Sequence, residues 1–296
     1  MNPTVAPDRI ARAFLQACAL DVAVRKPGNV SEGAPGHRME ALQFRRSAEV
    51  AAPPLCATGA PVGQRIEQAM RATWDAVGCN TNLGIVLLCA PLAVAAERCA
   101  GPVSPARLHA ALAGVLDGLD RSDAAAAFRA IALVQPGGLG RADTQDVHAP
   151  PTVTLREAMA LAAGRDRIAL QYAEGFAELF TLGLPVFAAG LDARAVQLCF
   201  LQWLRSAPDT HITRKFDLAT AQSVQAMAQH WWDSLLHAGE PMPGPETEPS
   251  RAAAWAAWDE QLKQRGLNPG TSADLTVASA FVAALVAAPP AGETPG

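Results

Sequence analysis

The chain has 296 residues, 50% of them hydrophobic and only 18% charged, with a net charge of -4. That apolar fraction excludes a disordered polypeptide, and the slight acidity gives no electrostatic footprint for DNA or RNA. The length accommodates one large domain or two small ones, with ample material for a core.

Residues 1–8 carry neither a basic region nor an apolar core, so no signal peptide is read there and a cytoplasmic location is expected. Ile10, Phe14, Leu15, Cys18 and Val22 recur at helical spacing and predict a helix over 8–24. It stops at Arg25-Lys26-Pro27-Gly28, where proline disfavours a helical predecessor and glycine frees the turn. After a loop over 29–36, His37, Met39, Phe44 and Ser47 open a second helix. Pro53-Pro54 and Gly59-Ala60-Pro61 mark another loop, and Gly63, Ile66, Ala69, Met70 and Thr73 the helix after it.

Gly78-Cys79-Asn80-Thr81-Asn82 then places three polar turn-formers before the most apolar run in the chain. No residue from 83 to 96 is charged, so a helix here is apolar on every face and therefore buried. Gly84, Pro91 and the short length argue against a membrane span of about 20 residues. A buried helix that opens on Asn-Thr-Asn takes amides and a hydroxyl inside, each costing roughly 1–3 kcal/mol if unpaired. An N-cap needs one such residue, so a ligand-facing role stands beside the capping role.

Ser104-Pro105 starts a helix whose apolar face is Leu108, Ala111, Leu112, Val115 and Leu119. The next, over 124–134, ends in a glycine-rich segment reaching 140. Thr154-Leu155-Arg156-Glu157 is a capping-box pattern, and 166–182 reads as one long helix. Further helices are expected over 191–204, 212–237, 251–265 and 274–288, with a disordered tail at 289–296. No alternating run bounded by hairpin turns is visible. Residues 1–288 therefore read as a single all-α, multi-helix domain without significant sheet. Six cysteines and six histidines show neither Cys-x-x-Cys nor His-Glu-x-x-His spacing, and the cysteines read as small core residues.

The unusual polar residues cluster at four breaks: Arg25 to Asn29, Asn80 to Asn82, Asp209 to Lys215, and Pro269 to Asp274. Helix N-termini suit phosphate groups, nearby cations strengthen such a site, and isolated carboxylates can hold a bridging magnesium ion. Each residue also has a plainer reading. Asp209 and Asp274 stand where helix-capping acids stand, and Arg214 and Lys215 suit a solvated helix face. Together, the four breaks point to an anionic ligand.

Lys26-Pro27-Gly28-x-Val30, His37-x-Met39, Phe44-x-x-Ser47, Gly63-x-x-Ile66, Asn80-Thr81-x-x-Gly84, Asp209-Thr210 and Ser272-Ala273-Asp274-Leu275 run in one order along the chain. This joint pattern resembles the triphosphoribosyl-dephospho-CoA synthase family. The resemblance implies an all-helical transferase that joins ATP to 3′-dephospho-CoA and releases adenine, making a prosthetic-group precursor. Where that family often has Asn-Thr-His-Lys-Gly, this chain has Asn80-Thr81-Asn82-Leu83-Gly84; it also lacks the aspartate of His-x-Asp-Met. It is more similar to a divergent branch found alongside one-carbon metabolism with tetrahydromethanopterin and methanofuran.

On that resemblance, Lys26, Arg214 and Lys215 are expected to clamp the triphosphate, and Asn80 and Asn82 to meet the base or ribose. Gly28, Asn29, His37, Thr81 and Ser272 complete the expected nucleotide- and phosphate-binding set. Asp209 and Asp274 are expected to bind magnesium or act as general base. ATP as substrate and Mg2+ follow, with dephospho-CoA or a related acceptor, without nucleic acid or membrane. A homo-oligomer stays open. Two alternatives remain: an acceptor drawn from one-carbon cofactor synthesis, and a non-catalytic helical binding module. If the ligand reading holds, Lys26, Asn80, Asp209 and Asp274 should line one pocket.

Overall fold

In the computed structural model, residues 5–32, 34, 36, 39–99, 101–137, 140, 144–238 and 244–287 are described. They form α1 (Pro7–Ala23), α2 (Ala41–Leu55), α3 (Val62–Val77), α4 (Leu83–Arg98), α5 (Pro105–Asp117), α6 (Arg121–Val134) and α7 (Leu155–Ala162). The second half holds α8 (Arg167–Ala173), α9 (Ala193–Ser206), α10 (Thr210–Lys215), α11 (Leu218–His237), α12 (Pro249–Gln264) and α13 (Gly270–Val286). The described residues contain no strand; two isolated bridges, Ser31 with Ala34 and Gly36 with Met39, pin the loop before α2. The all-α expectation holds. None of the described helices is long and apolar enough to cross a membrane. His37 and the tail expected at 289–296 lie outside the described residues.

The apolar run became α4, and from Leu83 to Ala96 every residue is buried. Helices α1, α2, α3, α5 and α13 pack around it. Helix α13 is almost as apolar and lies against α1, α4 and α9. A second, smaller core joins α9, α11 and α12 through Trp231, Trp255 and Trp258, whose rings meet at 5.0–6.2 Å.

Pro91 lies inside α4 and has no N–H for the Leu87 carbonyl, four residues back. A buried carbonyl needs a donor. The chain's single tyrosine supplies it: Tyr172 on α8 donates its hydroxyl to Leu87 O at 2.6 Å. The helix-breaking residue of α4 thus fixes the position of α8 beside it.

Two expected long helices are divided. The run over 166–182 breaks after α8, where Gly175 and Phe176 take φ of 65° and 61° before a π-helical turn at Leu179–Gly183. Sequence periodicity continues across that break because both pieces bury one face. The run over 212–237 divides at Phe216, and Asp217 caps α11 by accepting from Thr220 N–H at 2.6 Å. Conversely, Pro53 and Pro54 sit in the last turn of α2 rather than in a loop.

Tyr172→Phe should cost about 1–3 kcal/mol in chemical denaturation, the penalty for one unsatisfied buried carbonyl. In a Pro91→Ala background that cost should shrink, because the restored N–H takes the Leu87 carbonyl. Equal costs in the two backgrounds would contradict this account of α4.

Candidate active site

A cleft of about 520 Å³ opens where the N-terminal ends of α4 and α13 meet α8 and α10. Its polar floor comes from Asn80, Thr81, Asn82, Asp21 and Asp274, and its apolar wall includes Met39, Phe44, Phe128, Ile131, Met159 and Ile168. The size suits a single nucleotide-sized ligand, since such pockets run to roughly 300–1,000 Å³.

The three polar residues before α4 divide the work. Asn80, two residues before the N-cap Asn82, accepts from Leu83 N–H through Oδ1 at 3.2 Å. Thr81 is tied down by Ser47, with the two hydroxyls 2.5 Å apart. Asn82 is only 5% exposed, yet neither atom of its amide has a hydrogen-bond partner among the described residues. An orphaned amide at the floor of a cleft is costly in the free protein. A ligand can settle that cost.

Asp274 lies one turn into α13 and caps nothing. No hydrogen bond among the described residues ends on its carboxylate. It reaches across to the first turn of α4, where a Cβ added to Gly84 would fall 2.0 Å from its Oδ2. Burial first, then the charges of Asp21, Asp209 and Asp166, push its proton affinity well above the usual carboxylate range, and Arg214 only partly opposes this. A carboxylate so placed accepts a proton more readily than an exposed one and can bind a cation.

Asp209 has a different job. It caps α10 by accepting from His211 and Ile212 N–H at 3.0 and 3.2 Å. Its other oxygen accepts from Ser272 N–H and Oγ, both at 2.8 Å. One carboxylate thereby joins the starts of α10 and α13, and neither Asp209 nor Ser272 lines the cleft. The capping alternative describes Asp209, not Asp274.

Lys26 does not reach the cleft either. It is fully buried, with Nζ donating to Asp21 O at 2.5 Å and paired with Asp21 Oδ1 at 3.0 Å. The ammonium folds back to close the C-terminal end of α1, a common use of lysine at helix ends. Gly28, at φ 80°, turns the chain against α12 and α13: its N–H donates to Asp259 at 2.8 Å, and a Cβ would fall 2.6 Å from Leu267 O. Lys215 is exposed beside Phe216 and also lies outside the cleft lining. The expected convergence therefore divides: Asn80 and Asp274 share the cleft, while Lys26 and Asp209 stand one layer behind it.

Asn29 and Arg214 do line the cleft. Asn29 donates to Asn268 at 3.0 Å, and Arg214 donates to Asp166 at 3.0 Å and to Gly137 O at 3.1 Å. Asp21, Asp166 and Asn268 also line it, and sequence reading missed all three as site residues. Asp166 carried one legible signal, its position at a helix start. Asp21 carried none, because its burial depends on Lys26 folding back.

Because folding favours the neutral form of Asp274, the folded protein loses stability as pH rises above about 4, the ordinary aspartate value. Asp274→Asn removes that penalty. The free variant should melt a few degrees above wild type at pH 7–8, with the gap closing as pH falls toward 4. A lower melting temperature at pH 8 would contradict the placement of Asp274.

The sequence pattern of the ATP:dephospho-CoA triphosphoribosyl transferase family, CitG, matches residues 7–291. A crystal structure from Archaeoglobus fulgidus superposes with a TM-score of 0.63 over 81% of this chain and 97% of its own, at 22% identity. That protein's assignment as a triphosphoribosyl-dephospho-CoA synthase is itself provisional, and its likeness bears on the fold. Among curated proteins none matches the sequence significantly. The family match runs through every described helix from α1 to α13, cleft included: the chain belongs to the ATP:dephospho-CoA triphosphoribosyl transferases and is a transferase.

Proposed function

We propose that the chain transfers the triphosphoribosyl group of ATP to a hydroxyl of dephospho-CoA or a closely related acceptor and releases adenine. Family membership supplies the reaction class. The observation that carries the reading to this cleft is Asp274, a cleft-lining carboxylate without a hydrogen-bond partner among the described residues, set against the first turn of α4.

In the proposed step the acceptor oxygen forms a bond to C1′ of the ATP ribose as the bond from C1′ to adenine N9 breaks. The hydroxyl proton passes to Asp274 and from there to water, and water returns one proton to N9 of the departing adenine, so charge and atoms balance. Positive charge develops at C1′, as in glycoside cleavage, and a carboxylate beside that centre stabilises it. Arg214 stands ready for phosphate oxygens once they compete with Asp166 and Gly137 O for its guanidinium. Asn80 keeps its amide nitrogen for the base or ribose, its oxygen being committed to Leu83 N–H. Asn29 and Thr81 form the wall beside it.

Magnesium fits the oxygen-rich floor, because Asp274 has no hydrogen-bond partner among the described residues and the Asn82 amide oxygen is orphaned. When bound, it would offset the charge of the phosphate oxygens.

The test is to incubate pure protein with ATP, magnesium and candidate acceptors, dephospho-CoA and one-carbon cofactor intermediates among them, and to measure free adenine by mass spectrometry. Adenine release that depends on dephospho-CoA is expected. Release only with another acceptor would move the reading to that acceptor. ATP binding without turnover on any acceptor would overturn it in favour of a binding module. Asp274→Asn should lower turnover about a hundredfold with the fold intact. Arg214→Ala should raise the KM for ATP about tenfold with a smaller effect on kcat.

A further inference from the structure

Asp21, Asn82 and Asp274 come from α1, the start of α4, and α13, and all three line the floor of the cleft. Asp21 and Asn82 also share the small recess behind that floor, with Cys18 and Phe44. Asp274 lies directly on the first turn of α4, two residues beyond Asn82. We infer that Asp21, Asn82 and Asp274 form the seat of a divalent cation, with oxygen donors from two carboxylates and one amide.

Three observations support this. The Asn82 amide is 5% exposed with both atoms orphaned, and a cation on Oδ1 would satisfy the one that no protein donor reaches. The amide nitrogen would then donate to an oxygen of the ligand held by the same cation. Second, Asp21 lines the cleft floor with its Oδ1 ion-paired to Lys26 at 3.0 Å but without a hydrogen-bond partner among the described residues. Third, Asp21 and Asp274 set two carboxylates on one floor, and two cations near them are already engaged, Lys26 with Asp21 and Arg214 with Asp166. A divalent ion would offset the charge of that pair.

No group of three or more His, Cys, Asp or Glu among the described residues could hold a metal. A seat of two carboxylates and an amide, completed by phosphate oxygens and water, is the arrangement magnesium accepts. This inference rests on the proposed use of ATP for its biological setting, but cation binding can be read without turnover. It also moves the expected metal ligand from Asp209, whose oxygens serve four hydrogen bonds, to Asp21.

The experiment is a titration of the full-length protein with Mn2+, followed by the electron paramagnetic resonance signal of free Mn2+, with and without ATP and with no acceptor. Wild type should bind one Mn2+, more tightly with ATP. Asn82→Leu and Asp21→Asn should each weaken binding at least tenfold. Asn82→Asp keeps the shape and adds a charge, so it should tighten Mn2+ binding several-fold, a gain that misfolding cannot mimic. Unchanged or weaker binding by Asn82→Asp would overturn the seat, as would a wild type that binds no Mn2+ even with ATP. Either result would leave adenine release to be judged on its own, and Mn2+ binding without adenine release would sink the reaction while sparing the seat.

Discussion

The Asp274 carboxylate lies in the space that any side chain at position 84 would fill. This close approach of α13 to the first turn of α4 sets the rest of the site. Because α4 is buried along its length, the polar residues that start it are drawn to the bottom of the cleft. The carboxylate brought against them comes from a helix almost as apolar. Glycine at 84 is the condition for that contact. An alanine there would push α13 away or turn Asp274 aside, and the floor of the cleft would lose its charge.

A site built this way works against the stability of the protein that holds it. Asp274 is charged only at a cost, Asn82 has an amide without partners, and Arg214 is drawn to Asp166 until something better arrives. Around the cleft, three buried polar demands are met by long-range or folded-back side chains. Tyr172 satisfies the carbonyl that Pro91 frees, Asp209 ties two helix starts together, and Lys26 closes α1. The cost carried by the cleft residues is one that a ligand can relieve.

Much of the fold was legible because helical periodicity and capping are local. The uncharged run of α4, the Ser104 cap and the Thr154 capping box all appear where the chain places them. The division of 166–182 was not, since Gly175 and Phe176 turn the chain without changing which residues face the core. The site was half legible for a related reason. Asn80, Asn82 and Asp274 announced themselves by polarity next to apolar helices. Lys26 and Asp209 looked equally suggestive, and only their long-range partners show what they do: Asp21 in one case, Ser272 in the other. Asp21 gave no sign at all, because a charged residue in a helix reads as exposed until its neighbours are known.

The central claim is that the charge of Asp274 is kept in the cleft to act on ATP together with a cation. The most direct measurement is the affinity for ATP of wild type and Asp274→Asn, by calorimetry, with excess EDTA and then with magnesium. Without the metal, the carboxylate and the triphosphate repel, so the variant should bind ATP more tightly than wild type. With magnesium the order should reverse, the variant binding more weakly because it has lost a partner for the ion. If the substitution shifts affinity in the same direction under both conditions, Asp274 does not meet ATP through a cation and the account fails.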